Sequence, residues 1–149
     1  MSTPLVKGGI RFSLENTRAE EFATEKNDCS VRALKTAAGV PYADAHAMLA
    51  KIGRRARKGV TGSQLLALTN LPHVYGYKVT SIGVPMFRRT LGSIMPTLRQ
   101  GRYMIIKTGH AIGSVDGVLH DTGTSGPGSR VRMILKFTPT SEIEQKAGI

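Results

Sequence analysis

The dipeptide Asp116-Gly117 lies between "HAIGSV" and "VLHDT", two short runs of strand-forming character. Asp-Gly in that setting is a strong hairpin signal. Both residues of the favoured two-residue turn need positive φ, which Asp tolerates and Gly adopts freely. The turn also sets a register in which Val115 faces Val118, Ile112 faces Asp121 and His110 faces Gly123. Opposed residues share a face, and side chains alternate along a strand. His110, Ile112 and Asp121 are therefore expected on one face and His120 on the other. His110 and Asp121 become diagonal neighbours, about 7–8 Å apart at the backbone, a gap that long side chains close.

"RYMIIK" (102–107), "RVRMILKF" (130–137) and "VYGYKVTSI" (74–82) read as further strands. The first half reads as helices. Asp28 is placed to cap a helix through Ala38, with Val31, Leu34 and Ala38 on one side and Gly39 as its stop. "VPYADAHAMLAKIG" follows, with Pro41 near its start and Gly53 near its end. Shorter helices are expected from Ser63 and from Thr90, the latter bent near Pro96. Helices followed by an antiparallel meander predict an α+β domain over residues 27–137. Residues 1–26 are expected to be an arm or a peripheral short helix, and 138–149 a tail.

Cys29 is the single cysteine, so no internal disulfide is available. It follows Asn27-Asp28 directly and opens the first helix. A lone cysteine serves as a small buried apolar residue in many folds, and Asp28 reads equally as a simple helix cap. The first turn of a helix also offers unpaired N–H groups and partial positive charge, which stabilise a thiolate. An imidazole then takes up the thiol proton, and a carboxylate behind it fixes the tautomer. His110 and Asp121 have the spacing for those two tasks.

The chain has 21 Lys and Arg against 10 Asp and Glu, a net charge of +11. Such an excess attracts nucleic acid or an acidic protein surface. "GRRARKG" gathers Arg54, Arg55, Arg57 and Lys58, either as a solvated loop or as a phosphate-contacting patch that Arg88, Arg89, Arg130 and Arg132 extend. Tyr75 and Tyr77 read as one strand face or as a base-stacking pair. His46, His73, His110 and His120 show no HxxxH spacing, and no CxxC exists, so no metal is expected. "GTSGPGS" lacks the Gly-Lys-Ser/Thr ending of a phosphate loop, and no cofactor is expected. No stretch has the apolar run of a signal peptide or a membrane span, so a soluble protein is expected, without membrane partners.

Two blocks, "NDCSVRA" and "GHAIGSVDGVLHDT", make the stretch from Asn27 to Phe137 resemble small papain-like cysteine peptidase-type proteins encoded by bacteriophages. The resemblance implies a papain-like fold, with helices packed on a C-terminal antiparallel sheet. It also implies Cys29 as nucleophile, His110 as general base and acid, and Asp121 as the orienting carboxylate. A peptide or protein substrate and a place in the host cytoplasm or the virion follow from it. Papain-like peptidases commonly carry a Gln upstream of the cysteine to complete the oxyanion hole, and Ala23 stands there instead. The Cys29 backbone N–H is then one donor and Asn27 the candidate for the second. The alternative is a non-catalytic virion or host-takeover protein on the same scaffold, binding nucleic acid, phage particle components or an acidic surface through its charge.

Overall fold

The computed structural model describes residues 5–15, 27–55, 57–84 and 89–142. Strands β1 (Leu5–Lys7) and β2 (Ile10–Leu14) precede helices α1 (Cys29–Ala38), α2 (Tyr42–Lys51) and α3 (Gly62–Leu66). Strand β3 (Tyr77–Ile82) and the short helix α4 (Leu91–Ile94) follow. The chain then forms β4 (Arg102–Lys107), β5 (His110–Val115), β6 (Val118–Asp121) and β7 (Val131–Pro139).

The Asp-Gly turn behaves as its chemistry predicts, with φ of 48° at Asp116 and 82° at Gly117. Val115 pairs with Val118, Ser114 with Leu119 and Gly113 with His120. The expected meander holds for β4, β5 and β6 and ends there. β7 returns to the far edge of β4, with Ile105 opposite Ile134, and β3 lies beyond it. On the other side, β2 runs parallel to β6, with Phe12 beside Leu119 and Leu14 beside Asp121. The result is one seven-stranded mixed sheet in the order β1-β2-β6-β5-β4-β7-β3. The protein is α+β, but its sheet is not wholly antiparallel.

Two expectations about the ends are corrected. Residues 5–14, read as part of an arm or helix, are two strands joined through Gly8-Gly9, which both take positive φ, and Ile10 and Phe12 are buried. Apolar contact with the sheet outweighs the charged sequence that follows, residues 16–26, which lies outside the described part. At the other end β7 runs to Pro139, opposite Tyr77, and so enters the expected tail.

Strand alternation gives the sheet two apolar faces. Met104 and Ile106 of β4 join Ala111 and Leu135 under Val31, Leu34 and Ala37 of α1. Tyr103 and Ile105 face the other way, with Ile112, Leu119 and Phe12 against Leu91 and Ile94 of α4. Each fully buried Leu or Ile contributes about 1.5–3 kcal/mol.

Helix α1 is held tightly at both ends of its footprint. Over β5 it comes so close to Gly113 that an added Cβ would sit 2.4 Å from the Thr36 Cβ and 3.0 Å from the Ala33 carbonyl oxygen. At its C-terminus, Gly39 takes the left-handed conformation, and the Arg102 guanidinium donates to the Thr36 carbonyl at 3.0 Å. The same guanidinium lies over the Tyr77 ring. A helix so anchored presents its first residue, Cys29, at a defined point beside the sheet.

Candidate active site

Asp28 occupies the N-cap of α1 but its side chain makes no capping bond to the helix backbone. Its buried carboxylate instead accepts from Tyr42 Oη at 2.7 Å and from Arg32 Nε at 3.3 Å. The capping expectation is thus corrected: a buried carboxylate needs strong partners, and a phenol and a guanidinium supply them. The backbone N–H groups of Ser30 and Ala111 favour the charged form of the Cys29 sulfur. Of these contacts, only the Asp28–Arg32 spacing is visible in the sequence as an i,i+4 pair.

His110 and Asp121 meet as the hairpin register predicts. His110 Nε2 lies 3.0 Å from Asp121 Oδ1 and 2.9 Å from Oδ2. Asp121 is itself fixed: the Thr122 N–H donates to its Oδ1 at 2.8 Å, and the Glu15 N–H to its carbonyl at 2.7 Å. Beside it, Glu15 Oε1 contacts His120 Nδ1 at 2.7 Å, a pairing between distant parts of the chain that no local signal announces.

Alternation places His110 and Asp121 on the side of Ile112, away from α1. The three residues nevertheless line one pocket, since His110 is the first residue of β5, Asp121 the last of β6 and Cys29 the first of α1. Cys29 and His110 line the same cleft, and the two side chains are electrostatically coupled. With Nε2 engaged by Asp121, Nδ1 is the ring nitrogen left for the sulfur.

The electrostatics of the three groups are coupled. The Asp121 carboxylate, by hydrogen bond, and then the Cys29 side chain push His110 up to about 9, against the opposing effect of burial. Burial pushes the Cys29 thiol up, but the hydrogen bond to His110, the Ala111 N–H, the His110 charge and the Ser30 N–H together bring it below its ordinary value. Both shifts favour a thiolate beside an imidazolium.

A cleft of about 650 Å³ opens at this point, walled by Asn27 and Cys29, by the loop Gly59–Gly62, and by Lys107 and His110. Asn27 has φ of 53°, and its amide Nδ2 donates to the Arg57 carbonyl at 3.2 Å, tying the loop to the helix start. One donor of the residue expected to complete an oxyanion hole is thus turned to the loop. Ala23 lies outside the described residues.

The basic loop divides. Arg54 is buried, only 6% exposed, and does not offer a phosphate contact as the sequence suggested; Arg55, Arg57 and Lys58 are exposed. Arg89, Arg130 and Arg132 are exposed, and Arg88 falls outside the described residues. Tyr75 and Tyr77 do not share a strand face, since β3 starts at Tyr77 and Tyr75 turns with φ of 49°. Tyr75 Oη donates to the Asp44 carbonyl, and the Tyr77 ring meets Arg102 and Phe137. Among the described residues, no group of three or more His, Cys, Asp or Glu is placed to hold a metal, and no helix is long and apolar enough to cross a membrane. No protein-family model, curated protein or solved structure matches the chain.

Proposed function

We propose that the chain is a papain-like thiol hydrolase of the kind bacteriophages encode, acting on peptide or isopeptide bonds in the host cytoplasm or the virion. The observation that carries this reading is the gathering of Cys29, His110 and Asp121 in one pocket, with the His110 ring bound to Asp121 at 2.9 Å. Asp121 holds the ring and favours its protonated form, and the helix start and Ala111 N–H favour the thiolate.

Cys29 Sγ attacks the substrate carbonyl carbon, forming a C–S bond and a tetrahedral oxyanion beside the first-turn backbone N–H groups. The C–N bond breaks as the imidazolium gives its proton to the leaving amine. Neutral His110 then takes a proton from water, and the hydroxide attacks the thioester. The C–S bond breaks, the acid leaves, and thiolate and imidazolium are restored. No external cofactor enters this scheme.

The test uses p-nitrophenyl acetate. The wild-type chain is expected to release a burst of nitrophenolate stoichiometric with Cys29, lost in Cys29→Ala and in His110→Ala, followed by slower turnover. Absence of both burst and turnover in folded wild-type protein would overturn the reading. The commitment of an Asn27 donor to the Arg57 carbonyl favours a second reading, a non-catalytic scaffold that binds nucleic acid or an acidic surface through its charge. A stoichiometric burst with no turnover is the result that fits it.

A further inference from the structure

The cleft carries a charge pattern that the thiol chemistry does not use. Lys107, the last residue of β4, pairs directly across from His110, so the two share a face. The register of β4 against β7 shifts between Ile106 and Lys107, and irregularities of this kind re-aim a side chain. Lys107 lines the cleft with Cys29 and His110 and is partly buried, yet the contact of its ammonium is a neutral hydroxyl, Ser125 Oγ at 3.0 Å.

Among the described residues, the acidic side chains beside Cys29 and His110 are already committed. Asp28 is held by Tyr42 and Arg32, and Asp121 by His110 and Thr122. Exposed Arg55 and Lys58 precede the cleft-lining Gly59 in the chain. A partly buried ammonium held by a neutral hydroxyl gains from an anionic partner.

We propose that the substrate supplies that anion: the cleft takes an acidic peptide whose carboxylate side chain, next to the scissile bond, pairs with Lys107. The cleavage part rests on the thiol-hydrolase reading, whereas the recognition part is a statement about binding alone. A peptide is favoured over a polynucleotide because the cation stands directly beside the proposed acyl-transfer centre, where a side-chain carboxylate reaches it and a continuous phosphate backbone has no reacting carbonyl to present.

The experiment separates the two. Fluorescein-labelled peptides of equal length, bearing Glu, Gln or Lys on both sides of a central Ala-Ala, are titrated into full-length Cys29→Ala protein and followed by anisotropy. The Glu peptide is expected to bind about tenfold more tightly than the Gln peptide, with the difference shrinking as salt is added. Lys107→Glu in the same background, its fold checked by circular dichroism, is expected to abolish or invert that preference, and Lys107→Gln to reduce it. Equal binding of all three peptides, or a preference indifferent to Lys107, overturns the proposal. So does a DNA oligonucleotide that displaces the Glu peptide equally well whether Lys107 is intact or carries the Lys107→Glu substitution. Because binding is read without the thiol, a missing burst in wild-type protein with the Glu preference intact rejects the hydrolase reading alone. A burst without the preference rejects this inference alone.

Discussion

Replacing Asp121 with Asn probes the coupling on which the proposed thiol chemistry depends. Asn keeps an oxygen for the Thr122 N–H, which donates to Oδ1, so the loop geometry has a conservative replacement. What it removes is charge. His110 stands at about 9 rather than 6.5, and the hydrogen bond to Asp121 is the leading cause. At about 1.4 kcal/mol per pH unit, the protonated ring is favoured by about 3 kcal/mol, an upper figure because the ring is 31% exposed. Cys29 supplies part of this, so Asp121→Asn is expected to lower the His110 midpoint by about one to two pH units. The assay is NMR titration of the His110 ring, assigned with His110→Ala. Stability follows with a definite sign. A raised folded-state value stabilises fully below about pH 6.5, and that contribution is lost as pH rises through about 9. The urea-unfolding gap between wild type and variant should therefore be widest near pH 6 and narrow steadily toward pH 10. A His110 midpoint that stays near 9 in the variant would refute the reasoning.

Gly113→Ala places a methyl group 2.4 Å from the Thr36 side chain and 3.0 Å from the Ala33 carbonyl, where helix backbone blocks relief. It is expected to cost about 1–3 kcal/mol in urea unfolding and to slow Cys29 alkylation, as α1 moves off β5; unchanged stability contradicts the close approach. Tyr42→Phe removes the 2.7 Å donor to buried Asp28 and is expected to cost about 1–3 kcal/mol, with Arg32 left as the carboxylate's remaining named partner. A loss below about 0.3 kcal/mol in the same assay would show that bond to be dispensable.

The site was more legible in the sequence than the sheet around it. A two-residue turn transmits its register along a hairpin, so Asp116-Gly117 was enough to align His110 with Asp121. Gly39 marked the end of α1 because few other residues take its left-handed conformation comfortably. The pairing of β7 with β4 and of β2 with β6 joins segments far apart in the chain, and no local pattern encodes such partners. The strands at residues 5–14 did leave a trace, since Gly8-Gly9 between "LVK" and "IRFSL" is itself a hairpin signal, obscured by the charge-rich sequence downstream. Arg54 shows the limit of reading charge runs as solvated: within "GRRARKG", one guanidinium is drawn inside while its neighbours remain exposed.

The parallel seat of β2 against β6 also bears on when the proposed site is completed during synthesis. The Glu15 N–H can bind the Asp121 carbonyl only after residue 121 has been made, so an early strand must wait for a late one. Until then His110 lacks the carboxylate that holds its proton, and the sulfur lacks the charged ring beside it. A nascent chain therefore cannot form the His110–Asp121 pair until residue 121 has been made, and the proposed nucleophile gains its full setting only after the two edges of the sheet have joined.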